Sequence, residues 1–244
     1  MSGCLEMMYE RLAAFLLENL VFDDVSVILE AGCGGGQLTI PFVKGVSKIK
    51  KNFKVIAFDI SAGPYEGDLE ILNERIRKER LEALVFSVKG DVRDMKEMAN
   101  ESVDLIISNE LLCDLDKKGL EKALQEFYRI LRRGGMMAHG ELNPIPENEA
   151  QRLLIRADAY SIESLRPKPK WFSPFSDEVA ALMHKIGFKD IAVNYFETGT
   201  KMGYKEAVTY LKGWVKQDFI KTYEHDLRRY GLEFPMEHVI FCKK

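Results

Sequence analysis

The sequence predicts an α/β domain with a mostly parallel sheet, and two patterns support this fold class. From Val25 onwards, short apolar runs alternate with longer segments of helical period along a chain of 244 residues. Continuous apolar runs that are separated by helices are typical of parallel strands covered on both faces. The predicted strands are residues 25–30, 54–59, 83–89, 104–108, 136–140, 190–196 and 238–242.

Helical periodicity fills the intervals between these strands. The clearest helix covers residues 117–132, where the apolar side chains lie on one face. Residues 1–20 predict an amphipathic helix rather than a signal peptide. In the second half of the chain, the pattern predicts helices over residues 147–164 and from Ser173 or Ser176 to Ile186, and a long helical stripe over residues 204–230.

The composition excludes several classes of protein. A net charge of −3 argues against nucleic-acid binding through overall charge. No apolar run approaches the ~18 residues that a membrane-spanning helix needs. The cysteines form no CxxC pair and no metal-like spacing with histidine, so we expect reduced thiols, no metal site and a cytoplasmic protein. They are Cys4, Cys33, Cys113 and Cys242.

A glycine-rich turn follows the first predicted strand. Residues 32–36 contain four glycines, which allow a ligand to approach the backbone closely. The GxGxxG pattern of dinucleotide-binding loops fails, because the sixth position of that pattern, counted from Gly32, is Gln37. The Gly-Lys-Ser/Thr of a P-loop is also absent. The pattern is instead Glu30-x-Gly32-x-Gly34-x-Gly36.

This pattern resembles the first motif of the class I, seven-strand, Rossmann-like S-adenosylmethionine-dependent methyltransferases. Later motifs support the resemblance: Asp59 ends the second strand, Asp91 follows the third, and Asn109 follows the fourth. Gly134-Gly135 matches the family's helix-to-strand turn, although Arg133 replaces the usual proline. The resemblance is strongest over residues 25–141 and weaker over the last hundred residues.

The resemblance implies S-adenosylmethionine as the cofactor and assigns residues to it. The family's counterpart of Asp59 binds the two ribose hydroxyls, and that of Asp91 meets the adenine amino group. The backbone N–H of Val92 would reach a ring nitrogen, and Glu30 would hold the glycine loop and the cofactor. The complete predicted cofactor site is Glu30, Gly32, Gly34, Gly36, Asp59, Ile60, Asp91, Val92 and Asn109.

The resemblance also completes the predicted architecture. We expect one doubly wound domain over residues 1–244, with a mostly parallel seven-stranded sheet whose last strand enters antiparallel. An N-terminal helix (residues 1–24) would precede the cofactor-binding core (residues 25–141). Helical insertions at 142–175 and 198–236 would form a substrate cap.

The family's reaction is an in-line displacement at the methyl carbon, so alignment and exclusion of water supply much of the catalysis. His139 and Glu141 end the fifth strand and are the predicted catalytic residues. His139 is the candidate base because its ordinary pKa lies near neutrality; alternatively it is a buried strand residue. Glu141 is an alternative ligand for a cationic substrate group.

The sequence does not identify the methyl acceptor. Ser108-Asn109-Glu110-Leu111 differs from the Asn/Asp-Pro-Pro-Tyr/Phe motif of enzymes that methylate nucleobase amino groups or glutamine amides. We therefore expect a small-molecule acceptor, whereas the basic and aromatic loop at residues 166–175 keeps RNA open as an acceptor. The sequence also leaves open protein-directed methylation, an NAD(P)-dependent Rossmann oxidoreductase and a catalytically silent binding subunit. It predicts no oligomeric state.

Overall fold

A computed structural model describes residues 3–158, residue 160 and residues 174–244. Within these residues, the strands of the main sheet are β1 Val27–Ala31, β2 Lys54–Asp59, β3 Val85–Lys89, β4 Val103–Asn109, β5 Leu131–Leu142, β6 Lys189–Phe196 and β9 Glu237–Lys243, and a separate ribbon consists of β7 Lys201–Met202 and β8 Leu232–Glu233. The seven strands of the main sheet lie in the order β3-β2-β1-β4-β5-β9-β6, and β9 runs antiparallel to both of its neighbours. The predicted sheet is thereby confirmed.

Helices cover both faces of the sheet. They are α1 Gly3–Asn19, α2 Thr39–Ile49, α3 Asp68–Glu79, α4 Lys117–Ile130, α5 Glu149–Asp158, α6 Ser176–Ile186, α7 Tyr204–Lys212, α8 Gln217–Thr222 and α9 Glu224–Tyr230. Single turns of 3-10 helix occur at Gly63–Tyr65 and Leu112–Asp114. None of the described helices is long and apolar enough to cross a membrane.

The sheet divides the apolar core into two layers, because alternate residues of a strand face opposite sides. Ile28 of β1 belongs to the layer that also contains buried side chains of α1, α2, α3 and α7. Leu29, the next residue, belongs to the opposite layer with α4 and α6. We call these the α1 face and the α4 face. This division decides which side chains meet at the carboxyl edge of the sheet.

Three helix predictions differ from the structure. The predicted helix at 117–132 ends at Ile130, and Leu131 already belongs to β5. Ser176 is the first residue of α6 rather than its cap, since Phe175 precedes it without a side-chain cap. Of the predicted helix at 147–164, α5 covers Glu149–Asp158; residue 159 and residues 161–173 lie outside the described residues.

The helical stripe at 204–230 is divided into α7, α8 and α9. The chain leaves α7 at Gly213, and Tyr223 separates α8 from α9. Leu211, Phe219 and Leu227 nevertheless all pack into the layer on the α1 face. The apolar stripe was thus predicted correctly, whereas its continuity was wrong because three short helices follow the curved surface beneath them.

Candidate functional site

The glycine loop leaves β1 in a conformation that favours glycine. Gly32, Gly34 and Gly36 have φ values of +72°, +48° and +82°, in the left-handed region. The Gly32 N–H donates to the carbonyl of Phe58 at 2.8 Å, which ties the loop to the end of β2. Side chains would also lack space: a Cβ at Gly32 would lie 2.8 Å from Leu111 Cδ1. The backbone of the glycine loop is therefore held close to the residues that surround it, Phe58 and Leu111.

The Asp59 carboxylate organises this loop. Its Oδ2 accepts from the backbone N–H of Gly34 at 2.9 Å, and its Oδ1 accepts from that of Ser61 at 2.8 Å. Asp59 is 6% exposed. Each carboxylate oxygen has a second lone pair, so both oxygens retain the capacity to accept a ligand hydroxyl. Beside it, Ile60 presents an exposed apolar side chain.

Glu30 lies beneath the same loop as a buried acid. Its side chain is 2% exposed, and Oε2 forms no hydrogen bond with a described residue. Burial, together with the negative charge of Asp59, raises the pKa of Glu30 to about 8, while the Thr39 hydroxyl acts in the opposite direction. A buried carboxyl group with an unsatisfied oxygen suits a site that binds a cationic group of a ligand.

Replacing Glu30 with glutamine should remove a pH dependence of stability. The cofactor-free folded protein keeps this proton up to about pH 8, whereas the unfolded chain releases it near the ordinary value of 4.5. The free energy of unfolding therefore falls as pH rises through this window, by up to about 1.4 kcal/mol per pH unit. Urea unfolding across the window should show a shallower fall for Glu30→Gln than for wild type. Glu82→Gln, at an exposed position, is the control, and equal slopes for Glu30→Gln and wild type would contradict the assignment.

Asp91 has a charged partner that the sequence analysis missed. Its carboxylate binds the Arg93 guanidinium, with Nη2 at 2.6 Å from Oδ2 and Nε at 2.9 Å from Oδ1, and also accepts from the Arg93 backbone N–H. These hydrogen bonds from Arg93 hold the pKa of Asp91 below its ordinary value. Val92 between them is buried. The Asp-x-Arg spacing is the sequence signal that could have revealed this pair.

His139 and Glu141 lie together on the α4 face. The His139 Nδ1 is 2.7 Å from Ser108 Oγ, and its Nε2 is 3.1 Å from Glu141 Oε1. The Glu141 Oε1 also accepts from the Cys113 backbone N–H at 3.1 Å. The exposed fractions of His139 and Glu141 are 1% and 7%. The two predicted catalytic residues therefore belong to one buried network that supports the turn after β4.

Asn109 lies on the opposite, α1 face, beside an acid that the sequence analysis missed. A Cβ at Gly140 would lie 2.4 Å from Asn109 Oδ1 and 2.9 Å from Glu237 Oε2, so both side chains lean over this glycine. Glu237 is 0% exposed and begins β9, one residue before the strand predicted from the sequence. Glu110, which follows Asn109 in the chain, has a left-handed backbone with φ of +48°, the kind of strain that clusters at functional sites.

Metal chemistry has no evident place among these residues. Over the described ranges, no group of three or more His, Cys, Asp or Glu side chains could hold a metal ion. None of the four cysteines forms a disulfide bond with a described residue.

Comparison with known proteins finds a family match that includes the glycine loop. Residues 28–135 match the family model described as a methyltransferase domain. The carboxy-S-adenosyl-L-methionine synthase of Shewanella sediminis is 28% identical over 143 residues, which cover 56% of this chain and 55% of that protein. The probable methyltransferase ltbC of Aspergillus luteorubrus is 30% identical over 131 residues, 53% of this chain and 44% of that protein. The chain spans about half the length of these curated relatives.

Solved structures share the fold over almost the whole chain. A SAM-dependent methyltransferase from Archaeoglobus fulgidus has a TM-score of 0.58 at 18% identity, covering 97% of this chain and 94% of that one. The [4+2]-cyclase SpnF has a TM-score of 0.65 at 15% identity, covering 96% and 81%. Together with the family match, these likenesses confirm the predicted resemblance to class I methyltransferases and their fold.

Proposed function

We propose that this chain, whose residues 28–135 match the methyltransferase-domain family model, is an S-adenosylmethionine-dependent methyltransferase acting on a small-molecule acceptor. The observation that carries the proposal is the left-handed glycine loop tied through the Gly34 N–H to the buried Asp59 carboxylate. Such a loop offers backbone at close approach, and the carboxylate keeps acceptor capacity for ribose hydroxyls.

The residues present fit this cofactor. Gly32 and Gly36 allow the loop to pack directly against Leu111 and Leu72, which fixes the position of the loop backbone. Glu30 is a buried acid with an unsatisfied oxygen, which suits the amino group of the methionine moiety. When bound, the cofactor supplies an electrophilic methyl group. We assign Asp59 and Ile60 to the ribose side, Asp91 and Val92 to the adenine side, and Asn109 to the methionine side.

The protein's own contribution is alignment and exclusion of water. Helices α5, α7, α8 and α9 pack into the apolar layer on the α1 face, and we propose that these helices form the substrate cap predicted for the insertions at 142–175 and 198–236. Residues 159 and 161–173 of the first insertion lie outside the described residues. The His139–Glu141 network would hold the turn after β4, through the Cys113 N–H, in place beside the cofactor. Cysteines that form no disulfide bond with a described residue support a cytoplasmic location.

Titration calorimetry tests the proposal directly. The purified, cofactor-free protein is titrated with S-adenosylmethionine, S-adenosylhomocysteine and NAD(P)H. We expect micromolar binding of the two sulfur compounds alone. Binding of NAD(P)H instead would favour an oxidoreductase, and no binding by folded protein would reject the cofactor site. Cofactor binding without turnover on any acceptor would favour a catalytically silent binding subunit.

His139→Ala should lower turnover and leave cofactor affinity near that of wild type. The ring lies between Ser108 and Glu141, away from the glycine loop, and its loss leaves both partners without their contact. A pH–rate profile distinguishes two roles: a general base would contribute an ionisation that disappears in the variant, whereas a positioning residue would change kcat without moving the profile. Undiminished turnover would leave His139 with a structural role only.

A further inference from the structure

The α1 face of the sheet carries a second polar cluster beside the proposed cofactor site. We call it the acceptor cleft and define it by Tyr9, Asn109, Glu110, Tyr210 and Glu237. Glu237 is fully buried, the amide nitrogen and oxygen of Asn109 are buried as well, and Tyr9, Glu110 and Tyr210 are partly exposed residues. Gly140 lies beneath Asn109 and Glu237, and the absence of a Cβ there lets the two polar groups approach the same point.

Among the described residues, Glu237 forms no ion pair, and neither of its carboxylate oxygens forms a hydrogen bond of normal geometry. Burial, followed by the negative charges of Glu110 and Glu141, raises the pKa of Glu237, whereas the neighbouring Asn109 side chain acts to lower it. An ionised carboxylate in the interior is strongly unfavourable unless a cation pairs with it. A protonated organic amine would supply such a cation and could also donate hydrogen bonds to the carboxylate oxygens.

The cleft adjoins the cofactor loop and has aromatic walls. Burial, followed by the negative charges of Glu110 and Glu237, raises the pKa of Tyr9, and Tyr210 and Glu30 add to the effect. Tyr9 is therefore within electrostatic range of both the cleft acids and Glu30 at the glycine loop. Tyr210 packs against Trp214, with ring centroids 5.6 Å apart. Aromatic faces next to carboxylates are a favourable setting for an organic cation.

Resting on the proposed methyltransferase function, we propose that the acceptor cleft binds a small organic amine through Glu237 and Glu110, so that the enzyme is an N-methyltransferase. The amine enters as an ammonium ion and transfers one proton to a carboxylate of this pair, from which the proton passes to solvent. The freed nitrogen lone pair then forms the new C–N bond to the methyl carbon as the C–S bond breaks. S-adenosylhomocysteine leaves, and the product is the methylated ammonium ion.

Binding to the complex with S-adenosylhomocysteine tests the cleft without depending on turnover. The probes are phenethylamine and butylamine, each compared with its alcohol, phenethyl alcohol or butanol. Calorimetry on the saturated wild-type protein should give a Kd for at least one amine that is about tenfold or more below that of its alcohol. Glu237→Gln, which keeps the shape and removes the charge, should abolish this preference, and Glu110→Gln should weaken it. Glu197→Gln, at an exposed position, should leave it unchanged.

Each result has a distinct meaning. If S-adenosylhomocysteine binds but neither amine binds better than its alcohol, the amine proposal is overturned while the methyltransferase proposal stands. If S-adenosylhomocysteine does not bind, both proposals fall. A Glu237→Gln variant that still prefers the amine to its alcohol would also contradict the proposed role of the acceptor cleft. Its melting temperature should be no lower than that of wild type, since an unpaired buried charge is removed; a large fall would indicate that Glu237 has a structural role instead.

Discussion

Asp59→Ala is expected to weaken S-adenosylmethionine binding by about 1–3 kcal/mol, the range for leaving buried polar partners unsatisfied. This corresponds to a rise in Kd of about 5- to 150-fold. Two effects combine here: the proposed ribose contact is lost, and the backbone N–H groups of Gly34 and Ser61 lose their acceptor. Calorimetric titration of the cofactor-free protein measures the change.

Asp59→Asn separates these two effects. Asparagine retains one acceptor oxygen, so we expect a smaller loss of affinity than with alanine. Asp23→Ala serves as the control, because Asp23 is exposed and precedes β1, whereas the glycine loop follows that strand. Wild-type affinity in Asp59→Ala would remove Asp59 from the cofactor site, and an equal loss in Asp23→Ala would point to a general effect on the fold.

Gly36→Ala is expected to destabilise the protein by about 2–5 kcal/mol, as the sum of two penalties. The left-handed backbone, with φ of +82°, disfavours an L side chain by about 1–2 kcal/mol. The new Cβ would also lie 2.5 Å from Leu72 Cδ1. Since Leu72 is 0% exposed in the core, it has little room to move, and overpacking of this kind adds about 1–3 kcal/mol. Urea unfolding measures the total.

Gly134→Ala is the matched control for the backbone term. Gly134 has φ of +74°, but a Cβ there would meet nothing within 4 Å. Its destabilisation should therefore be limited to about 1–2 kcal/mol. The difference between the two variants gives the contribution of the contact with α3. Equal losses of stability would mean that Leu72 accommodates the methyl group, and the glycine loop would then be less constrained than its geometry indicates.

The local features of this protein followed from the sequence. All seven strands of the main sheet were predicted near their observed positions, because the alternation of apolar runs and helical segments is encoded within short stretches of chain. The glycine loop was equally local, since Gly32, Gly34 and Gly36 are separated by single residues. The antiparallel last strand followed from the family resemblance. Prediction was weaker at helix ends, where Leu131 continues the apolar stripe of α4 although it already belongs to β5.

The distribution of the site residues between the two faces of the sheet did not follow from the sequence. His139 and Glu141 alternate with Gly140, so both face the α4 side, where His139 meets Ser108, while Gly140 faces Asn109 on the α1 side. Glu237 joins Asn109 only because β9 pairs antiparallel with β5, in the register that places Glu237 opposite Leu142.

Register depends on contacts between segments far apart in the chain, and a shift of one residue would turn every side chain of a strand to the other face. The burial and the unpaired state of Glu237 arise from that same pairing. Periodicity, motif spacing and glycine placement are local and could be predicted, whereas the partners of a charged group at the junction of three strands exist only once those strands have assembled.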